Sequence, residues 1–198
     1  MSITLGNTTI SGLAVGGLPS GTVNSSSLAA GAITPSKIGF SGCFLQTTIS
    51  TYQSPWASGV SGNSWYNLPL SGSITPQFSS SRILVMTNLA LWHNNSATIR
   101  ILRNGSSVYQ GANNNSNTAG TYHHALPFFP DGNHVDGRSY AFIDSPGTTS
   151  SISYTMQAYG ESSTTAYVNC SSNGYNNSNN SIGYLARGCA TMLLIEVA

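Results

Sequence analysis

The sequence predicts an all-β protein, with an extended N-terminal arm at residues 1–40 followed by an antiparallel β-sandwich or jelly roll at residues 41–198. Three observations support this prediction. Short apolar and β-branched runs recur at strand spacing and are separated by Gly, Pro, Asn and Ser turns. No stretch shows the apolar period of a helix. Phe40 is the sole aromatic residue of the first 40, whereas aromatic residues are frequent afterwards.

The composition argues against several classes of function. Charged residues make up only 6% of the chain and the net charge is +1, so no basic stripe exists for binding nucleic acid. No apolar run reaches the ~18 residues of a membrane span, and we expect neither membrane insertion nor a secretory signal. Aromatic residues at 10% argue against disorder.

The arm contains short aliphatic pieces separated by turn residues, and no piece is long enough to form a core. Such a segment is stable only when it lies on another surface. A solvated linker would not need recurring aliphatic side chains, so we interpret the segment as an attachment arm. Its candidate anchoring residues are Ile10, Leu13, Val15, Leu18, Val23, Leu28, Ile33 and Ile38.

From Ser41 onward the pattern predicts eight to ten strands. Asn104-Gly105 lies between two apolar runs and predicts a tight hairpin. Ile152 to Ala158 alternates apolar with polar residues, which is typical of a strand with one face in water. Asp144 precedes a Pro-Gly turn, and we expect its carboxylate to cap that turn. The strands are predicted at Cys43–Ile49, Trp65–Leu68, Arg82–Trp92, Ala97–Leu102, Ser107–Gln110, within 121–129, Ser139–Asp144, Ile152–Ala158 and Cys189–Ala198.

Two of these strands, Arg82–Trp92 and Cys189–Ala198, are apolar at both alternating sets of positions. A strand with one face in water would alternate, so both faces of these strands are expected to be covered. One face would then pack in the core and the other against further copies of the chain. We expect a homotrimer, although a two-fold dimer satisfies the same argument. The core and trimer residues are Leu84, Met86, Leu89, Leu91, Met192 and Leu194.

His123 and His124, together with Asp131, His134 and Asp136, form the one cluster of acid–base or metal-ligating residue types. Its spacing matches no known metal site, and no nucleophile elbow is present. We therefore assign no catalytic residue, cofactor or metal ligand. Tyr and Asn in loops suit recognition of sugars or proteins, which makes Tyr122, His123, His124 and Tyr175 a possible ligand loop. Further aromatic residues near polar loops are Trp56, Trp65, Tyr109, Tyr159, Tyr167 and Tyr184.

The three cysteines, Cys43, Cys170 and Cys189, show no CxxC spacing. Free buried thiols are the simplest interpretation, with a Cys170–Cys189 disulfide as the alternative.

A resemblance rests on the order of several motifs. In the arm, Gly16-Gly17-Leu18-Pro19-Ser20-Gly21 precedes Ala32-Ile33-Thr34-Pro35-Ser36-Lys37-Ile38, which resembles the N-termini of small virion proteins of tailed bacteriophages. The body is similar to a C-terminal module of such proteins at 81–86, 101–105, 142–148, 154–157 and 192–196. The resemblance implies a trimeric jelly-roll knob, similar to tumour necrosis factor, on a short stem. It carries over no active site.

For function, the resemblance implies a non-enzymatic capsid-decoration spike of the cement or head-fibre type. The arm would anchor the trimer to the major capsid protein or another virion protein, at the surface of a particle assembled in the host cytoplasm. The chain has no room for a long shaft, which favours the capsid over the tail. The alternative is a short tail fibre or receptor-binding knob that contacts host-surface glycan. A third possibility is a metal-dependent lectin or carbohydrate-active enzyme using His123, His124 and Asp131.

Overall fold

The computed structural model describes residues 44–60, 64–93, 97–109, 126–128, 136–160, 164–170 and 188–198. None of these residues lies in a helix, so none belongs to a helix that could cross a membrane. They form eleven strands: β1 Phe44–Tyr52, β2 Trp56–Val60, β3 Ser64–Ile74, β4 Arg82–His93, β5 Ala97–Arg103, β6 Ser106–Tyr109, β7 Leu126–Phe128, β8 Asp136–Asp144, β9 Ile152–Gly160, β10 Thr164–Val168 and β11 Ala190–Val197.

The strands form two antiparallel sheets. Sheet A has the order β1-β11-β4-β10-β2, and β8 pairs with the other edge of β4. β4 is long enough to pair with β11 along 82–88 and with β10 along 91–93. Sheet B has the order β3-β9-β5-β6, with β7 also pairing with β5. The prediction of an all-β antiparallel fold is therefore confirmed for the described residues.

The core lies between the two sheets and is built from alternate residues of their strands. Ile83, Val85, Leu89 and Leu91 of β4 are at most 1% exposed. Sheet B contributes Ile152, Tyr154, Met156 and Ala158 of β9, which belong to the same apolar cluster. The residues between them on β9 are half-buried, as the alternation predicted.

The Asn104-Gly105 hairpin is also confirmed. Both residues have positive φ, 48° and 83°, as a type I′ turn requires. Arg103 pairs with Ser106 directly across the turn.

Two strands were not predicted. β2 and β10 pair with each other along their whole length, and β10 also extends sheet A at the end of β4. β3 is longer than predicted, continuing through Pro69 to Ile74 with a register irregularity between Asn67 and Ser71. Its later residues alternate inward and outward even though several are Ser and Gly.

The expected turn-capping role of Asp144 is wrong. Its carboxylate instead accepts two hydrogen bonds from Arg103 Nη1, at 2.8 and 2.7 Å, and one from Tyr154 Oη at 2.7 Å. Asp144 lies in sheet A and its two partners in sheet B, so the contact joins the sheets. Burial, followed by this hydrogen bond, raises the pKa of Tyr154, which keeps its hydroxyl a donor.

A second carboxylate, that of Glu196 on β11, is fully buried. Burial alone would raise its pKa, but hydrogen bonds to the carboxylate, among them those from the Gln46 side chain and the Gln77 backbone, outweigh burial and hold the pKa below the ordinary 4.5. The Gln77 backbone N–H donates to Oε1 at 2.7 Å. The ionised carboxylate thereby fixes the segment before β4 against sheet A.

The chain separates into two units, Met1–Phe40 and Ser41–Ala198, and the strands above belong to the second. The eight aliphatic residues of the predicted arm lie outside the described residues.

Candidate oligomerisation interface

The outer face of sheet A carries two neighbouring rows of apolar side chains, each running across four strands. One row aligns Ile49, Leu193, Met86 and Ala141, and the other aligns Thr47, Ile195, Leu84 and Ile143. Each set of partners lies on the same side of the sheet, because directly opposed residues in antiparallel strands point the same way. We call the apolar members of these rows the apolar belt: Ile49, Leu84, Met86, Ala141, Ile143, Leu193 and Ile195.

The apolar belt is open to solvent in the single chain. Ile49 is 66% exposed, Ile143 59% and Met86 42%. Phe44, at the start of β1 and on the same face opposite Val197, is 69% exposed. Among the described residues these four are the exposed large hydrophobic side chains, and all four are on one face. Contiguous exposed apolar surface of this kind marks interaction sites in soluble proteins.

One border of the apolar belt is a row of polar side chains. On one side Thr51, Thr191, Asn88 and Ser139 form the next aligned row across the same four strands. On the other side the next row contains Phe44, Val197 and Arg82, so the apolar surface continues there and ends at the charged Arg82. Neither of the two apolar rows contains a charged residue. An apolar centre with a polar rim is the usual anatomy of a protein–protein interface.

The belt is not flat. A depression of about 370 Å³ lies between Ile49, Met86, Ala141 and Leu193 on its apolar side and Asn88 and Thr191 on its polar border. A concave site of this size can accept one or two large side chains from a partner. It therefore favours a contact with inserted side chains over a flat contact.

The far end of the same face of β4 is covered by the chain itself. Ala90 and Trp92 point to the same outer side of sheet A as Met86 but are only 9% and 8% exposed. The Trp92 ring packs edge-on against Tyr167, with centroids 5.1 Å apart. Asn169, at a φ of 61°, donates its backbone N–H to Ala90 O at 2.8 Å. Gly188 lies over Ala90 so closely that a Cβ there would overlap the Cβ of Ala90.

The six residues predicted for core and trimer contacts therefore fall into two groups. Leu89, Leu91, Met192 and Leu194 are buried between the sheets, at 1% exposure or less. Leu84 and Met86 lie on the apolar belt. Sequence reasoning missed Ile49 and Ile143. The signal for Ile143 was present, because Ala141-Phe142-Ile143 is apolar at both alternating positions, whereas Ile49 is isolated among Thr and Ser.

Outside the described residues lie Tyr122, His123, His124 and Tyr175 of the possible ligand loop, and also Asp131, His134, Tyr184 and Cys43. Within the described ranges no group of three or more His, Cys, Asp or Glu is arranged to hold a metal ion. Neither Cys170 nor Cys189 is in a disulfide; Cys170 is buried as expected, but Cys189 is exposed. The alternative of a Cys170–Cys189 disulfide is therefore wrong.

Of the aromatic residues singled out near loops, Tyr159 and Tyr167 are buried, at 7% and 8% exposure. Trp56, Trp65 and Tyr109 are half-buried. Tyr109 stacks on Phe142 with the ring centroids 4.4 Å apart, which is a packing role between the sheets.

The outer face of sheet B differs chemically from the apolar belt. The Arg100 guanidinium lies 4.0 Å from the centroid of the Trp65 ring, and Trp65 also contacts Tyr159 at 5.4 Å. Arg100 Nε donates to Gln157 Oε1 at 2.7 Å, and Gln157 Nε2 donates to Asn67 Oδ1 at 2.8 Å. We call these five residues the Trp65–Arg100 cluster. No sequence signal predicted it, because it depends on the register of three strands distant in the chain.

Comparison of the chain with models of protein families gave no match. A search of curated proteins also gave no match.

Proposed function

We propose that this chain is a non-enzymatic structural protein of a bacteriophage particle, in which residues 41–198 form a jelly-roll knob that assembles as a homotrimer through the apolar belt. The observation that carries the proposal is the belt itself. Ile49, Met86 and Ile143 expose more than two fifths of their surface on one face, which ends on one side at a row of polar side chains. An isolated subunit gains nothing from that arrangement, whereas burial of each such side chain contributes about 1 kcal/mol or more to assembly.

The strand order supports the jelly-roll part of the proposal. Sheet A places β1, β11, β4 and β8 side by side, and sheet B places β3, β9, β5 and β6 side by side. Of the ten connections between successive described strands, six cross from one sheet to the other, as many connections of Greek-key jelly rolls do. In a three-fold assembly of such knobs, β4 and β11 would face the axis and sheet B would face outward.

The virion placement rests on the motifs of the sequence. The order of the arm segments and of the body segments resembles small virion surface proteins, and the arm carries aliphatic residues from Ile10 to Ile38. An arm of this kind would lie along the major capsid protein or another virion protein through apolar contacts and added strand pairing. Capsid decoration is the first candidate. A short tail fibre or receptor-binding knob is the second candidate.

Two measurements test the proposal. Light scattering of the purified full chain should give about three times the 20.7 kDa subunit mass. A mass of one subunit at all concentrations would refute the assembly, and a mass of two would replace the trimer by a two-fold dimer. Quantitative gels of purified particles should show hundreds of copies for capsid decoration. A few tens of copies or fewer would place the protein in the tail, and absence from particles would refute the virion role.

A further inference from the structure

We propose that the Trp65–Arg100 cluster on the outer face of sheet B is a binding site for a saccharide that carries a carboxylate. The site lies on the sheet opposite the apolar belt. The inference therefore stands on its own observations and does not depend on the placement in a virion.

The cluster is a prearranged set of flat polar groups beside aromatic rings. Arg100, Gln157 and Asn67 are directly aligned across β5, β9 and β3, and the next aligned pair is Tyr159 with Trp65. The two internal hydrogen bonds use Arg100 Nε, both polar ends of Gln157 and Asn67 Oδ1. These bonds hold three planar side chains in one orientation before any ligand arrives, which lowers the entropic cost of binding.

The cluster keeps donors available for a ligand. Within the described residues, neither the two terminal nitrogens of Arg100 nor Nδ2 of Asn67 donates a hydrogen bond. Saccharides present hydroxyls that accept such bonds and a C–H face that packs on aromatic rings. Trp65 is half-buried, so part of its indole remains accessible beside these donors. Rings with a fixed geometry and adjacent planar polar groups are the elements of a small-molecule recognition site.

The charge of Arg100 selects an acidic saccharide. Arg103, three residues further along β5, is paired with Asp144, but within the described residues no carboxylate contacts Arg100. Partial burial removes part of the hydration of the Arg100 cation and thereby lowers its pKa. A ligand carboxylate would compensate that cation through a charge-assisted and geometrically suited pair of hydrogen bonds.

A purely structural role predicts a different behaviour. A cation stacked on an indole across neighbouring strands also stabilises a sheet, and in that case its removal would lower stability without affecting any ligand. Binding and thermal stability must therefore be measured on the same variants.

The test uses the full chain and pairs of oligosaccharides that differ by a carboxylate, beginning with 3′-sialyllactose and lactose and continuing with oligogalacturonate and its carboxyl-reduced form. Calorimetry or saturation-transfer NMR should show at least one acidic member bound about tenfold or more tightly than its neutral counterpart. Arg100→Gln should remove that preference. The matched control, Arg82→Gln on sheet A, loses the same charge and should retain it.

A second variant separates an effect on ligand binding from an effect on folding. Asn67→Asp keeps Trp65 and Arg100 and places a carboxylate in the same row, where it should compete with the ligand and weaken acidic binding about tenfold or more. The thermal midpoint of each variant confirms that it is folded. Failure of every acidic probe to bind the wild type, equal binding of acidic and neutral partners, or equal behaviour of the Arg100 and Arg82 variants would overturn the proposal.

Discussion

A charge at Met86 should abolish assembly while leaving the subunit folded. Met86 is 42% exposed in the single chain, so replacing it with Glu removes little intramolecular packing and should lower the free energy of unfolding by about 1 kcal/mol or less. The same carboxylate would be placed inside the apolar belt of the assembled protein. Taking a carboxylate out of water without a partner costs several kcal/mol.

The magnitude follows from the number of copies. A trimer would bury three such carboxylates, a penalty of at least about 6 kcal/mol even at 2 kcal/mol each. The exposed part of each Met86 would also no longer contribute its burial, about 1 kcal/mol per copy. Together these terms, about 9 kcal/mol, weaken the trimer by about a million-fold or more, since each 1.4 kcal/mol is a factor of ten.

A glutamate on the opposite, inward face of β4 should behave differently. Leu89 is 1% exposed and packs between the sheets. Leu89→Glu loses about 2–5 kcal/mol of packing and buries an unpaired carboxylate, which together approach the whole stability of an ordinary domain. We therefore expect Leu89→Glu to be unfolded and Met86→Glu to be a soluble monomer.

Light scattering after gel filtration and thermal unfolding by circular dichroism provide the two readouts. Ser71→Glu, at an exposed position of sheet B, is the matched control and should remain assembled with an unchanged mass. The reasoning is refuted if Met86→Glu retains the wild-type mass, or if Met86→Glu and Leu89→Glu both lose their folded structure.

Three further outcomes are expected. Asp144→Ala leaves Arg103 without its partner and should lower the free energy of unfolding by about 2 kcal/mol in urea titration, less than for a fully buried pair because Arg103 is 27% exposed. The folded-state pKa of Glu196 is lowered below 4.5, so its stabilising effect is complete above about pH 5 and is lost as the pH falls below 4.5. The stability difference between wild type and Glu196→Gln should shrink over that acidic range and stay constant above it. Gly188→Ala should cost about 1–3 kcal/mol through overlap with Ala90, and the added cost should be smaller in an Ala90→Gly background; equal costs in both backgrounds would contradict the contact.

The parts of the fold that were predictable depend on local signals. β4 and β11 are apolar at both alternations, and they pair directly in sheet A. The Asn104-Gly105 turn was predictable because few residue pairs adopt two consecutive positive φ angles without strain. In each case the signal lies in residues that are neighbours in the sequence or share one strand.

The parts that were missed depend on contacts distant in the chain. β2 and β10 contain Ser58, Gly59 and Thr164, and they are strands because they pair with each other and with the end of β4. Asp144 was read as a turn residue since its immediate neighbours are a turn, whereas its partner Arg103 lies 41 positions earlier. The apolar belt is likewise visible only after four strands have been placed in register.

The two halves of the outer face of β4 support the proposal of assembly over incomplete packing of the single chain. Ala90 and Trp92 have the same outward orientation as Met86, yet the chain covers them with Tyr167, Asn169 and Gly188. This fold can therefore cover an outward apolar residue with its own chain. A charged residue at the Met86 end of β4 would have made that end hydrophilic. The chain does neither at Met86, and it is poor in charge throughout, at 6%. This contrast between an open apolar belt and a covered continuation of the same face supports the proposed assembly, in which a second copy would present the same uncharged surface.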